Sequence, residues 1–277
     1  SSFVNQNHIG DYSQSSILSL INKKYAHNFV RTLVGADTRR FVCFNASIKQ
    51  LVMNCINSLV YEHTHIPANH VVISHRTEAY MDVPQCLYNY LDLWEDDDVE
   101  SLKGMLTPTT RVLILSHVCH LTGRVLDIKH IIRSARAQCE NIFVIVDGSL
   151  FVPHHKFDFE DVGPDMYVFN FKRLYGPHVA VAVTRAFTNM DVADTPEGPI
   201  DCNTLSVCGV AQFIRSLRSR DIANGMTRED IDTFYRIVKR QEQQVLEYLL
   251  ERLRNEMRTC CTVIHDDTSQ RVPIVGL

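Results

Sequence analysis

The sequence predicts an α/β protein with a mainly parallel sheet sandwiched by helices, on three observations. Short apolar runs rich in Val, Ile and Phe recur along the chain. Helical patterns fall between them. The runs are apolar throughout, as strands covered on both faces are.

The elements follow in order. A first strand over 41–44 precedes a helical pattern over 47–62. A second strand, 71–74, leads to a helical piece around 83–93. The run 112–116 precedes a helix over 126–138, which Asp127 can open as N-cap. Strands over 143–147, 166–169 and 179–183 complete the set.

A long helix then runs from about residue 228 to 257, with apolar positions at Ile231, Phe234, Tyr235, Val238, Val245, Leu246, Leu249, Leu250 and Leu253. The closing RVPIVGL reads as the start of a further strand. These signals divide the chain into a large α/β domain over 1–227 and a second unit over 228–277, made of the linker helix and the start of a small C-terminal α+β domain.

A length of 277 residues with 45% hydrophobic content supports a large core. Lys and Arg number 28 against 32 Asp and Glu, a net charge of −4, so no global basicity points to nucleic acid or an anionic membrane. No apolar run approaches the roughly 20 residues of a membrane-spanning helix. The nine cysteines form no CxxC pair, and Cys43, Cys55 and Cys119 lie inside apolar runs. They read as reduced core thiols of an intracellular compartment, cytoplasm or mitochondrion. The chain does not start with Met and lacks a signal-like segment, which reads as a processed or partial chain.

In such a sheet, ligands collect beyond the C-terminal ends of the strands. Ser74, residues 116–120, Asp147 and residues 170–173 all fall there. An Asp ending a buried strand, followed at this distance by a Lys, is how pyridoxal-phosphate enzymes hold their cofactor. The carboxylate keeps the pyridine nitrogen protonated so that the ring accepts electrons, and the lysine holds the aldehyde as an imine. The plain alternative makes Asp147-Gly148 a strand-ending turn and Lys172-Arg173 a solvated pair.

The wider pattern resembles a known family. FVNQNHIGDYS at 3–13, VRTLVGA at 30–36, SHVCHLTGRVLDI at 116–128, VIVDGSLFVPHH at 144–155 and DMYVFNFKRLYGPH at 165–178 are similar to the class V aminotransferases. These fold-type I pyridoxal-phosphate enzymes include cysteine desulfurases, selenocysteine lyases, kynureninases and isopenicillin-N-epimerase-like proteins. The resemblance covers essentially the whole chain. It implies the cofactor pyridoxal 5'-phosphate, an amino-acid substrate, a small C-terminal domain and a homodimer with the site near the interface.

Carried over position by position, the resemblance makes Asp147 the ring-nitrogen carboxylate and Gly148 the glycine after it. The family's Gln or His contacting the ring oxygen or phosphate side is Leu150 here, which can make no hydrogen bond. The imine lysine corresponds to Arg173, which stays protonated. Lys172, the candidate Schiff base, stands one residue early. On an extended segment that offset turns the side chain to the opposite face, unless a bulge restores it.

The phosphate turn falls on residues 44–50, with Asn45 or Ser47 as N-cap and Lys49 available to an anion; an ordinary capped helix explains the same residues. The aromatic residue stacked on the cofactor corresponds to Glu78 or Ala79, and His75 or Tyr80 reaches that position only with a local shift. His120 falls where the family has a residue near the ring hydroxyl. The plain reading of His117 and His120 packs one at the sheet edge and leaves the other on a loop. His154-His155 lack a third ligand, so no metal is predicted. The family's nucleophilic Cys and substrate-carboxylate Arg correspond to positions beyond Leu277, and residues 184–203 are shorter than their family counterpart.

The expectation is a catalytically impaired protein of the pyridoxal-phosphate-transferase fold, acting as a structural or interaction subunit in an intracellular, possibly organellar, homodimer or heteromeric assembly. The alternative is an active lyase or transferase acting on a sulfur- or selenium-containing amino acid, with Lys172 as Schiff base, Asp147 as ring anchor and His120 as hydrogen-bond partner. A third reading makes Lys49, Lys172 and Arg173 a repurposed anion or nucleotide pocket.

Overall fold

A computed structural model describes residues 14–56, 59, 70–74, 88–91, 98–185, 204–216, 227–257, 260, 262–263 and 271–275. Among these, seven strands build one sheet: β1 Phe41–Asn45, β2 His70–Ser74, β3 Tyr88–Leu91, β4 Thr110–Ser116, β5 Phe143–Asp147, β6 Met166–Asn170 and β7 Ala180–Thr184. Their spatial order is β1-β7-β6-β5-β4-β2-β3. Pairing is parallel from β3 through β6. β7 alone runs the other way, antiparallel to both β6 and β1. Its direction follows from its connection: a short turn separates it from β6, and a parallel partner needs a crossover of a dozen or more residues.

Each of the six apolar runs is a strand. The expected helix around 83–93 is corrected, because Tyr88–Leu91 is the edge strand β3, paired with β2 from Val71↔Tyr88 to Ser74↔Leu91. Tyr-Asn-Tyr-Leu places two aromatic residues in a short segment, a composition that suits a strand better than a helix.

The helices are α1 Gln14–Val34, α2 Ile48–Ile56, α3 Asp98–Met105, α4 Ile128–Gln138, α5 Phe159–Val162, α6 Thr204–Ser216 and α7 Arg228–Glu256. Asp127 caps α4 as expected, its side chain accepting from the His130 amide. A capping box between Thr227 and Asp230 opens α7. No helix among the described residues is long and apolar enough to cross a membrane.

Strand residues alternate between two cores. Val42, Leu113, Leu115, Val144, Val146, Tyr167, Phe169, Val181 and Val183 share one cluster with the buried side chains of α1, α4, α6 and α7. Cys43, Val112, Ile114, Ile145, Met166, Val168, Ala180 and Ala182 face the other way, onto Leu51, Val52, Cys55 and Ile56 of α2. Burying each Leu, Ile or Val contributes about 1.5–3 kcal/mol, so both faces are needed to hold the sheet.

Arg228, at the start of α7, ties distant parts of the first layer together. Its guanidinium donates to the carbonyls of Thr32 and Leu33 at 3.0 Å and of Phe157 at 2.7 Å, and pairs with Asp158 at 3.3 Å. Those acceptors include carbonyls at the C-terminus of α1, which have no partner inside the helix. Gly35 follows with φ of 64°, and a Cβ there would stand 2.7 Å from the Arg228 guanidinium.

Residues 271–275 dock on the 118–125 hairpin. Arg271 bridges to Arg124, Val272 donates to the Gly123 carbonyl at 2.8 Å, and the buried Arg271 guanidinium donates to the Thr122 carbonyl at 2.8 Å.

Candidate functional site at the edge of the sheet

The parallel strands end together, and their registers align the last residues. Ser116 pairs with Asp147 and Asp147 with Val168. Asn170 and Asn45 both pair with Ala180, from opposite sides of β7. Cys43, Ile114, Ile145 and Val168 all belong to the α2-facing core. The residues two places further along, Asn45, Ser116, Asp147 and Asn170, therefore form a polar row on that same face. Ser116 and Asn170 belong to it through register, a signal absent from their local sequence.

Asp147 is half-buried. Its Oδ1 accepts from the Ser149 amide at 2.9 Å, and its carbonyl accepts from the His117 amide at 2.9 Å. Gly148 is dictated by a close approach: a Cβ there would lie 2.0 Å from the Tyr167 hydroxyl. Leu150 is half-buried beside this turn.

The segment carrying Lys172 and Arg173 is not extended, contrary to expectation. Residues Phe171–Leu174 form a 3-10 helix, opened by the Asn170 side chain accepting from the Lys172 amide at 2.7 Å. It closes at Tyr175, whose φ of 61° is in the left-handed region. The physical reason is the cap: Asn170 offers the backbone a local partner once β6 ends. Strand alternation therefore does not apply, and successive side chains are about a third of a turn apart. Lys172 and Arg173 are both exposed, whereas Phe171 is buried and anchors the turn.

At the start of α2 the two cap candidates divide the work. Ser47 is the N-cap, its hydroxyl accepting from the Gln50 amide at 3.2 Å, and the Asn45 side chain accepts from the Ser47 amide at 3.4 Å. Both are engaged by the backbone around the helix they open.

His120 is exposed in the turn of the 118–125 hairpin. His117 is buried, with Nδ1 3.1 Å from the Tyr167 hydroxyl. Its ring stacks on Phe151 at 3.6 Å, while Phe157 stacks on Tyr167 at 3.7 Å. Burial pushes the His117 pKa down to about 3, with a smaller push from His155, and drives the Tyr167 hydroxyl well above its usual value. This cluster supports the Asp147 turn from the opposite face, and sequence reasoning missed it because Tyr167 reads only as a strand residue.

His154 pairs with Glu242 at 2.7 Å. No group of three or more metal-ligating side chains occurs among the described residues. His75, Glu78, Ala79 and Tyr80, the candidates for the stacking position, lie outside the described residues, as do residues 3–13 and 186–203.

Comparison with known proteins assigns the class. A profile of the aminotransferase class-V family matches residues 17–192, and the chain belongs to that family. It is 29% identical over 191 residues to the cysteine desulfurase-like protein ustD of Aspergillus flavus, covering 65% of this chain and 42% of that protein. It is 34% identical over 106 residues to a probable cysteine desulfurase of Xylella fastidiosa, covering 38% of this chain and 24% of the relative. A segment of 84 residues is 31% identical to the aminotransferase-like protein FGM3 of Gibberella zeae, covering 30% of this chain and 21% of that protein. These matches span less than half of each relative's length. In three dimensions a NifS-like protein superposes with a TM-score of 0.72 at 14% identity, covering 95% of this chain and 71% of the neighbour. That likeness establishes the fold.

Proposed function

We propose that this chain keeps the fold of the class V aminotransferases without the lysine imine, and serves as a structural or interaction subunit of an intracellular assembly. One observation carries the reading. The position matching the family's imine lysine is Arg173, a permanently charged guanidinium that cannot condense with an aldehyde, and the neighbouring Lys172 is exposed on a capped 3-10 turn.

Pyridoxal phosphate, which the family uses, needs a ring-nitrogen carboxylate, an amine and donors for its phosphate. Asp147 fits the first requirement. Arg173 does not fit the second, Leu150 removes a polar contact, and the Ser47 hydroxyl already serves the Gln50 amide. The residues as a set do not fit a covalently held cofactor, and no catalytic step is derived through one.

Two further features support a subunit role. The N-terminal half of α1 exposes Ile17, Leu18, Leu20 and Ile21, and α7 exposes Val245, Tyr248 and Leu249, apolar surface of the kind that partner proteins cover. Cys43, Cys55, Cys119, Cys139, Cys208 and Cys260 form no disulfide, in keeping with a reducing compartment, cytoplasm or mitochondrion.

The test is covalent capture. The purified chain is incubated with pyridoxal phosphate, reduced with borohydride and mapped by mass spectrometry, and no pyridoxyl adduct at Lys172 is expected. A stoichiometric adduct there, lost on Lys172→Ala, overturns the proposal.

A further inference from the structure

On the face of the sheet opposite the polar row, a cleft of about 970 Å³ opens between the turn after β5 and the first turns of α7. Val125, Leu126, Phe151 and Tyr235 make its apolar wall. The Tyr235 hydroxyl donates to the Val152 carbonyl at 2.6 Å, so this residue presents its ring. The size and the mix of apolar wall and few polar groups are those of a small-molecule site.

The charges of the lining sort into paired and unpaired. Lys156 pairs with Asp232 at 2.5 Å, His154 with Glu242 at 2.7 Å, and the Asp127 carboxylate accepts from the His130 amide at 3.0 Å. Arg236 and Lys239, one helical turn apart on α7, have no carboxylate partner among the described residues. The closest contact of the Arg236 guanidinium is the Thr233 hydroxyl at 3.5 Å. Across from them, His155 Nε2 is enclosed and has no hydrogen-bond partner among the described residues. Lys239 is near enough to help push the His155 pKa down, behind burial and His154.

We propose that this cleft binds a small phosphate monoester with a flat apolar body, its phosphate held by Arg236 and Lys239 and its body lying along Leu126, Phe151 and Tyr235. Two adjacent cations match the two negative charges of a phosphate monoester, whereas a monocarboxylate leaves one cation uncompensated. His155 Nε2 supplies the third polar contact, at the inner end. This site is separate from the Asp147 edge and does not depend on what binds there.

The test titrates the whole chain with phenyl phosphate, inorganic phosphate and benzyl alcohol by calorimetry. Phenyl phosphate is expected to bind more tightly than either part alone, and more weakly as salt rises. The double substitution Arg236→Gln and Lys239→Gln is expected to weaken it about tenfold or more with an unchanged melting temperature, since both side chains are exposed. Asp147→Asn is expected to leave the affinity unchanged. No detectable binding of phenyl phosphate, a double variant that binds as well as the parent, or loss of binding in Asp147→Asn each overturns the proposal.

Discussion

The imidazole Nδ1 of His117 and the hydroxyl of Tyr167 lie 3.1 Å apart, both buried, one ring stacked on Phe151 and the other on Phe157. Burial holds the His117 pKa at about 3 in the folded chain, against about 6.5 when unfolded. Between those values the unfolded state binds the extra proton. Stability from this residue is therefore complete above about pH 6.5 and declines as pH falls towards 3. His117→Phe keeps a ring against Phe151 but orphans the Tyr167 hydroxyl, so it is expected to cost about 1–3 kcal/mol at neutral pH. Urea unfolding at a series of pH values should show that gap narrowing on acidification; a constant gap counts against the buried neutral imidazole.

Gly148→Ala places a methyl 2.0 Å from the Tyr167 hydroxyl and 2.1 Å from its ring. Neither neighbour is a flexible chain end, so the Asp147 turn or the aromatic cluster must move. A loss of about 3 kcal/mol or more is expected, at or above the usual range for overpacking. Thermal unfolding measures it, and a variant as stable as the parent contradicts the packing described.

Asn170→Ala removes the acceptor that opens the 3-10 turn. By analogy with other helix caps the cost is about 1 kcal/mol, and Asn170→Asp, which keeps an acceptor, should recover most of it. Hydrogen exchange gives a local readout: the Lys172 amide should exchange faster in the Ala variant than in the parent. Equal protection in the two proteins refutes the cap.

Arg173→Lys returns an amine to the position that matches the family's imine lysine. If Arg173 is what prevents capture of the cofactor aldehyde, borohydride trapping with pyridoxal phosphate should label residue 173 in this variant and leave the parent unlabelled. Absence of label in the variant would show that more than the amine has been lost at the Asp147 edge.

Arg228→Ala leaves the carbonyls of Thr32, Leu33 and Phe157 without their charged donor. Hydrogen bonds to charged groups contribute about 1.5–3 kcal/mol each, and water replaces part of the loss. A net cost of about 2–3 kcal/mol is expected in chemical denaturation. Arg228→Lys should recover only a fraction, because an ammonium is a single point donor where the guanidinium is a fork.

Much of this architecture is legible in the residues. The strands at 41–45, 112–116, 143–147, 166–170 and 180–184 are readable because burial on both faces demands unbroken apolar runs. Asp127 marks the start of α4 for an equally local reason. Tyr88–Leu91 escapes the same reading because an edge strand has no such run. α1 escapes it because no acidic residue marks its first turn, although Ala26, Phe29, Val30, Leu33 and Val34 are buried at helical spacing. At the site, Asp147 is visible from its strand, whereas its alignment with Ser116 and Asn170 is a property of registers between strands far apart in sequence. The 3-10 turn over Phe171–Leu174 has a single local cue, the Asn170 cap, and that cue overturned the alternation expected of an extended segment.

The reversed strand β7 also sets an order of assembly. β1 touches the sheet only through β7, in the pairing from Phe41↔Thr184 to Asn45↔Ala180, so the earliest strand has no docking place until nearly the latest is made. Chains leave the ribosome N-terminus first. Until Thr184 has emerged, β1 waits with the apolar sides of Val42, Cys43 and Phe44 uncovered, and the polar row that includes Asn45 is incomplete. Closing that long loop is a late, entropically costly step. Premature termination anywhere before β7 therefore leaves a product that exposes a sticky edge and lacks a finished site.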